Sequence, residues 1–258
     1  MRMRKHFATG AAMAAAATMV LTACGGGSST STSTSSSSSS DSGAPKGTIT
    51  VGSAYETTDY SPITTSALGI GADWQVLEGL YRFDMSDYSV TPALAAGDPV
   101  KVSDTKYEIT LRDGAKFSDG TDVKAADVVS SYERTTDEKS IYRQFFTFVD
   151  SVEAKDDKTV TITLKHPFAA LKERFVNVRV VPSSMSEDEL KSKPIGSGPY
   201  KYDNISATEI TAVPNEHYNG NMPAKAATLK WSVLKDDSPR LAAALGNSID
   251  IMEAVPAD

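Results

Sequence analysis

Residues 28–40 are an unbroken run of serine and threonine, and this run separates a short N-terminal part from the rest of the chain. Three glycines precede the run and Asp-Ser-Gly follows it, so residues 25–43 contain no apolar side chain that burial could use to offset ordering entropy. The composition predicts a flexible tether over residues 24–45. A mucin-like glycosylated stalk is the less favoured alternative, because the run contains no proline.

The residues before the tether are typical of a secretory leader. The first five residues carry three positive charges, residues 7–20 are uncharged and rich in alanine and methionine, and Leu-Thr-Ala-Cys closes the stretch. The apolar segment is short for a transmembrane helix. We predict a signal peptide over residues 1–23. LTAC resembles a bacterial lipobox, which implies that Cys24 carries a lipid; a free buried thiol and an uncleaved anchor are the alternatives.

Composition excludes several classes of function. The chain has 26 basic and 33 acidic residues and a formal net charge of −7, which argues against a general nucleic-acid binder. Cys24 is the single cysteine, so neither an intramolecular disulfide nor a thiolate-rich metal site can form. His166 and His217 are predicted to be loop residues, and no P-loop or G-x-S-x-G motif is present. We therefore expect no enzyme activity, no metal and no cofactor.

The rest of the chain predicts a mixed α/β body. Alternating apolar residues indicate strands at 48–53, 107–111, 160–164 and 229–233, and a turn at 156–158 joins the third to 151–154. Helices are predicted at 124–135 and after Ser186.

A further helix is predicted near the end of the chain. It has Ser238 as N-cap, Pro239 at its first position and a stop at Gly246, and it is followed by a short buried strand at 249–252. Together with the strand at 229–233 it forms a βαβ unit. The Gly-Ile-Gly at 69–71 is predicted to be a turn.

One group of segments resembles a known family. LRDGAKFSDG at 111–120, followed by AADVV at 125–129, is similar to the signature of the family 5 extracellular solute-binding proteins, the peptide/nickel-type binding components of ABC importers. Five more segments resemble that family in its order and spacing: EGLY at 78–81, PALA at 92–95, PIGSGPY at 194–200, NEHY at 215–218 and ALGNSID at 244–250. Lys124 departs from the usual threonine at the N-cap of the signature helix, which weakens that cap.

The resemblance implies a type II periplasmic-binding-protein fold, with ligand held between two lobes. By analogy, residues 46–83 and 194–258 belong to a discontinuous first lobe, and residues 84–193 form an inserted subdomain. Relatives are about twice as long, which implies that the second lobe is missing and that the chain is an N-terminal half.

The resemblance also implies candidate ligand-binding residues. The loop after the first strand lines the cleft in the family, which favours Tyr55, Glu56 and Thr57, and Glu56 suits a peptide ammonium group. A solvated loop carboxylate is the alternative for Glu56. Tyr142 lies where relatives present an aromatic side chain to ligand, with a place in the core as its alternative; we assign Trp74 to packing.

The function expected from the resemblance is the lipid-anchored, extracytoplasmic solute-binding component of an ABC importer for oligopeptides or dipeptides. Its partners are then the solute, a permease and ATPase complex, and the membrane through the N-terminal lipid; the protein is expected to be a monomer. The alternatives are a surface lipoprotein that binds another protein without transport, a non-functional truncated gene product, and, least favoured, a hydrolase.

Overall fold

The computed structural model describes residues 44–256. The predicted signal peptide, the lipidation of Cys24 and the predicted tether up to residue 43 lie outside the described residues. No helix in the described part of the chain is long and apolar enough to cross a membrane.

The described residues form eleven strands, five α-helices and one 3-10 helix. The strands are β1 (Thr48–Ser53), β2 (Tyr81–Phe83), β3 (Val90–Pro92), β4 (Val100–Ser103), β5 (Lys106–Thr110), β6 (Val149–Ala154), β7 (Thr159–Leu164), β8 (Tyr200–Ile205), β9 (Glu209–Pro214), β10 (Thr228–Val233) and β11 (Ile251–Met252). The helices are α1 (Ala67–Val76), α2 (Ala125–Thr135), α3 (Leu171–Phe175), α4 (Glu187–Ser192) and α5 (Asp237–Leu245), with the 3-10 helix at Ile141–Phe146. The mixed order of strands and helices confirms the α/β class.

A five-stranded sheet joins the two ends of the described chain. Its order is β11-β1-β10-β9-β8; β1 is parallel to β10 and to β11, whereas β8, β9 and β10 run antiparallel. The predicted βαβ unit is confirmed as β10, α5 and β11, with β1 inserted between its two strands.

Two details of that unit differ from prediction. The N-cap of α5 is Asp236 rather than Ser238, because the chain is already helical from Asp237, although the end at Gly246 is confirmed. The last strand is an edge strand of two residues, so Ile251 is 51% exposed rather than buried.

A second, four-stranded antiparallel sheet has the order β4-β5-β7-β6 and is built from residues 100–164. The β6–β7 hairpin confirms the predicted turn at 156–158. The inward residues of this sheet, among them Ile109 and Ile162, are buried in one core with Val128 of α2 and Phe175 of α3. This core is distinct from the one that the five-stranded sheet forms with α1.

Helix α1 packs on the five-stranded sheet through Leu68, Ala72 and Val76, all buried. It includes the Gly-Ile-Gly at 69–71, so the predicted turn was wrong. The helix begins after Ser66, whose hydroxyl accepts a hydrogen bond from the Gly69 amide at 3.4 Å. A Cβ on Gly69 would lie 2.9 Å from the Asp59 carbonyl oxygen, so glycine allows the preceding loop to approach the helix closely.

Candidate functional site

The loop after β1 lies beside the N-terminus of α1, and an open depression of about 600 Å³ separates them. The depression is lined by residues of the loop, of the helix start and of the segment after β10: Ala54, Tyr55, Glu56, Thr65, Ser66, Ala67 and Lys235. Two of the three loop residues singled out from the sequence, Tyr55 and Glu56, therefore lie on one concave surface.

The loop is held at its start by hydrogen bonds to Ser53. The Ser53 hydroxyl accepts from the Tyr55 amide at 3.2 Å and donates to Glu253 Oε2 at 2.6 Å. The Tyr55 side chain is exposed. Thr57 is used differently, because its hydroxyl accepts from the Asp59 amide and donates to the Asp59 carbonyl, both at 3.0 Å. The Thr57 hydroxyl thus stabilises the loop itself.

Glu56 forms an ion pair with Lys235, with Oε2 and Nζ 3.1 Å apart. The side chains are 61% and 57% exposed, so water screens the pair and its contribution to stability is at most about 1 kcal/mol. In the structure, Glu56 is therefore an exposed loop carboxylate, as the alternative prediction from the sequence has it.

Tyr142 lines a second, smaller depression of about 30 Å³. Its walls come from the segment before α1, from α1, from the 3-10 helix and from the segment after α3: Pro62, Thr64, Ile70, Asp73, Trp74, Tyr142, Asn177 and Arg179. The half-buried Tyr142 donates its hydroxyl hydrogen bond to the Thr64 carbonyl at 3.2 Å. Residues 64–66 pass from this depression to the larger one.

Arg179 and Trp74 form the part of this depression that the sequence did not predict. The guanidinium lies 4.7 Å from the centre of the Trp74 ring, and Nη1 donates to the Leu77 carbonyl at 3.4 Å. Arg179 is 9% exposed, and burial lowers the pKa of its guanidinium to about 10. Trp74 is 39% exposed, so it contributes to the surface of the depression in addition to its predicted packing role.

Asp73, a residue of α1, lies beside Arg179. It is buried, with 3% of its surface exposed. Its Oδ1 accepts a hydrogen bond from the Tyr202 hydroxyl at 2.7 Å. Burial raises the pKa of Asp73 well above 3.8, while the Tyr202 hydrogen bond and the positive charge of Arg179 act in the opposite direction. The nearby Tyr60 hydroxyl is buried and has no hydrogen-bond partner among the residues that the structure describes.

The signature segment has a structural role. Arg112 pairs with Glu78, donates from Nε to Asn219 Oδ1 at 2.9 Å and lies over the Tyr218 ring at 5.6 Å. The two Asp-Gly turns of the signature segment place glycine at positive φ, +67° at Gly114 and +87° at Gly120. The signature therefore packs against the segment 215–220 and away from both depressions.

At the N-terminus of the signature helix α2, other groups take over part of the capping role that the Lys124 side chain cannot fill. The Asp127 carboxylate accepts from the Lys124 amide at 2.9 Å, which is one half of a capping box. The Lys124 ammonium group has no acceptor lone pair and pairs instead with Asp157 at 3.1 Å. The Asp157 carbonyl accepts from the Ala125 amide at 2.9 Å and so satisfies one helix-terminal donor.

Comparison with known proteins decides the family. The profile described as "Bacterial extracellular solute-binding proteins, family 5 Middle" matches residues 89–258. The chain belongs to this family. The resemblance found in the sequence is thereby confirmed.

Among residues 44–256, no group of three or more His, Cys, Asp or Glu side chains is placed to hold a metal ion.

Curated family relatives are longer than this chain. Protein XP55 of Streptomyces lividans is 34% identical over 205 residues, which cover 74% of this chain and 36% of that protein. The glutathione-binding protein GsiB of Shigella boydii is 28% identical over 208 residues, which cover 75% of this chain and 39% of GsiB. The chain thus spans less than half the length of these relatives.

Solved structures of family 5 binding proteins share the fold. The binding protein AgaA from A. tumefacien R10, in complex with agropinic acid, matches with a TM-score of 0.75 at 26% identity, over 81% of this chain and 44% of AgaA. DppA from Helicobacter pylori, in complex with the peptide STSA, matches with a TM-score of 0.71 at 22% identity, over 81% of this chain and 47% of DppA. The fold is that of the type II periplasmic binding proteins, as the sequence predicted.

Proposed function

We propose that this chain forms the first ligand-contacting part of a solute-binding component of an ABC importer, with an oligopeptide or dipeptide as ligand. The observation that carries the proposal is the open depression between Tyr55, Glu56 and the start of α1, in a chain that belongs to the family 5 solute-binding proteins. The volume of about 600 Å³ suits a small peptide. Family relatives are binding proteins, which supports a role without catalysis.

The lobe organisation in this proposal follows the family. Residues 46–83 and 194–258 make up a first lobe around the five-stranded sheet, and residues 84–193 make up an inserted subdomain around the four-stranded sheet. Two separate hydrophobic cores support a division into two parts, but Leu80 and Tyr81 belong to the core of the four-stranded sheet, and Val181 and Leu190 belong to the core of the five-stranded sheet. A second lobe, which corresponds to the additional length of the relatives, would close over the ligand from the opposite side.

The proposed ligand contacts are an ion pair and an aromatic surface. Glu56 accepts hydrogen bonds from the ammonium group of the peptide after Lys235 is displaced, and the exposed Tyr55 ring packs along the peptide. Thr57 supports the loop that presents both residues. Tyr142 contributes from the smaller depression. Burial raises the pKa of Tyr142, and its hydroxyl hydrogen is donated to the Thr64 carbonyl, so the hydroxyl oxygen is left to accept a hydrogen bond from the ligand.

The proposed location is the outer face of the cytoplasmic membrane or the periplasm. The leader at 1–23, a lipid on Cys24 and the tether at 24–45 would hold a monomer close to its permease and ATPase. Expression of the chain with Cys24→Ser tests this part. Wild-type protein should fractionate with membranes and show a mass increase from the lipid, whereas the variant should show neither; a soluble wild-type protein would contradict the anchor.

Calorimetry with Ala-Ala-Ala and its N-acetylated form tests ligand binding. The free ammonium group should improve affinity up to about fivefold, since an ion pair of the exposed Glu56 carboxylate contributes at most about 1 kcal/mol. Glu56→Gln should abolish the difference between the two peptides. Glu216→Gln is the matched control, because Glu216 forms a comparable exposed ion pair with Lys201 and lies outside the depression. Absence of binding across a panel of di- and tripeptides would contradict a peptide ligand.

A further inference from the structure

We infer that the small depression at Arg179 is a binding site for a carboxylate group, and that Arg179 anchors the acidic end of the ligand. The inference rests on the proposed function, which it extends by naming the second charged group of the ligand. Nothing in the family signature points to this residue, because the signature lies at 111–129 and packs elsewhere.

The guanidinium of Arg179 is buried and forms no direct ion pair among the described residues; Asp73 is the carboxyl group that lies near it. The arginine ion pairs among the described residues are formed by Arg112, Arg134 and Arg240, and Arg179 is in none of them. Its one hydrogen bond within the described residues, to the Leu77 carbonyl, is long at 3.4 Å and uses one of five N–H donors. The remaining N–H donors of Arg179 are not among the fully buried unpaired atoms of the described residues, so they face the depression, where an anion can replace water as the acceptor.

The stacking on Trp74 holds the guanidinium ready for such an anion. The ring lies 4.7 Å from the guanidinium carbon, and this contact leaves the edge of the guanidinium group available to a planar ligand. Arginine and carboxylate form two parallel hydrogen bonds when both planes align. Thr64, Tyr142 and Asn177 line the same space and add polar atoms.

The dimensions of the site favour a single carboxylate. A volume of about 30 Å³ exceeds the roughly 10–15 Å³ that one water requires, yet it is too small for an entire amino-acid residue. Asp73 lines the same depression, and its Oδ1 already accepts a hydrogen bond from the Tyr202 hydroxyl. The rest of the ligand therefore lies outside, along residues 64–66, which lead to the larger depression.

Trp74 provides a direct readout of occupancy. The chain has two tryptophans; Trp231 lies in β10 and is buried, so a ligand on Arg179 should alter the emission of Trp74 alone. We would titrate the full chain with Ala-Ala-Ala, with its C-terminal amide, and with sodium succinate. The free acid should bind at least tenfold more tightly than the amide and change the emission, and Trp74→Phe should remove this signal.

Arg179→Gln should bind acid and amide with equal affinity, whereas Arg143→Gln, the same change at an exposed arginine of the 3-10 helix, should retain the preference. Should Arg179→Gln fail to fold, Arg179→Lys replaces it. The lysine keeps the charge without the two-pronged geometry, so the ratio of affinities should fall while remaining above one.

The outcomes separate this inference from the proposed function. Equal binding of acid and amide by the wild-type chain, or a preference that survives Arg179→Gln or Arg179→Lys unchanged, would overturn the carboxylate site and leave peptide binding intact. If neither peptide binds, the peptide function fails. The site then stands only if succinate still changes Trp74 emission and Arg179→Gln abolishes that change; an emission indifferent to succinate overturns it too.

Discussion

The Glu78 carboxylate and the Arg112 guanidinium are paired inside the protein, with Oε2 and Nη2 3.1 Å apart. Glu78 precedes β2, Arg112 follows β5, and Arg112 also reaches Asn219 between β9 and β10. This pair therefore ties the region of the four-stranded sheet to segments on both sides of it in the sequence.

Replacing Arg112 with Met should reduce the free energy of unfolding by about 3–5 kcal/mol, since the change leaves a buried carboxylate unpaired. Urea denaturation measures the loss. Glu78→Gln combined with Arg112→Met should recover part of it. Lys158→Met is the control, because the ion pair of Lys158 with Asp113 is exposed and should contribute nothing measurable. If Arg112→Met lowers the free energy of unfolding no more than Lys158→Met does, the Glu78–Arg112 pair does not stabilise the fold.

Asp73→Asn should change how stability depends on pH. The folded pKa of Asp73 lies well above the ordinary 3.8, so between these values the native state holds a proton that the unfolded chain releases. The wild-type protein should thus lose stability relative to the variant as pH rises from about 4 through the folded pKa.

Urea titrations from pH 4 to 8 measure this difference. Asp104→Asn provides the control, because Asp104 is exposed and its pKa is lowered by a hydrogen bond from Lys101, so its charge state is the same in the folded and unfolded chain above pH 4 and its profile should parallel that of the wild type. Parallel pH profiles for wild type and Asp73→Asn would show that burial of this carboxyl group carries no cost.

Two glycines in α1 should respond in opposite directions to alanine. Gly71→Ala should increase the free energy of unfolding by about 0.5–1 kcal/mol, because a Cβ there has no neighbour within 4 Å and glycine is unfavourable within a helix. Gly69→Ala should decrease it by about 1–3 kcal/mol, since the Cβ would press on the Asp59 carbonyl at 2.9 Å. Thermal unfolding of both variants checks the prediction, and a shift of the same sign in both would contradict it.

Arg240→Lys should destabilise the protein by roughly 2–4 kcal/mol, as each hydrogen bond from a charged donor contributes about 1.5–3 kcal/mol. The buried guanidinium donates to the carbonyls of Leu234, Lys235 and Ala254 at 2.7, 3.0 and 2.9 Å, and lysine cannot span all three. The exposed Arg143→Lys should stay within about 0.5 kcal/mol of wild type in the same denaturation experiment. Tolerance of Arg240→Lys would mean that these carbonyls are satisfied in another way.

The strands were predictable because alternation of apolar residues reports directly on a half-buried sheet. Residues 160–164 and 229–233 illustrate this. Of their pairings, only that of β7 with β6 follows from a short turn, whereas the pairing of β10 with β1 joins distant segments of the chain. Helix α1 was not predictable, since its two glycines argue against a helix and only the packing of Leu68, Ala72 and Val76 overrides that preference. The start of α5 was misplaced because Asp236 and Ser238 are both good N-caps.

The sequence predicted only those candidate-site residues that occupy a position known to line the cleft in the family. Tyr55 and Glu56 follow the first strand, and that position alone indicated them. Arg179 was missed, although a lone arginine between Val178 and Val180 is a visible signal: a charge within an apolar run is costly to bury unless it has a partner. Its neighbour Asp73 lies on α1 and comes to it only through tertiary packing.

The placement of β1 at the inside of its sheet has a consequence for biosynthesis. Both neighbours of β1 come from the other end of the chain, and the Thr50 amide bonds to the Asp250 carboxylate across 200 residues. At translation rates of about 5–20 residues per second, roughly 10–40 seconds pass between synthesis of the first strand and arrival of its partners. During that interval β1 has two unpaired edges, so the nascent protein is exposed to edge-to-edge aggregation until β10 and β11 emerge.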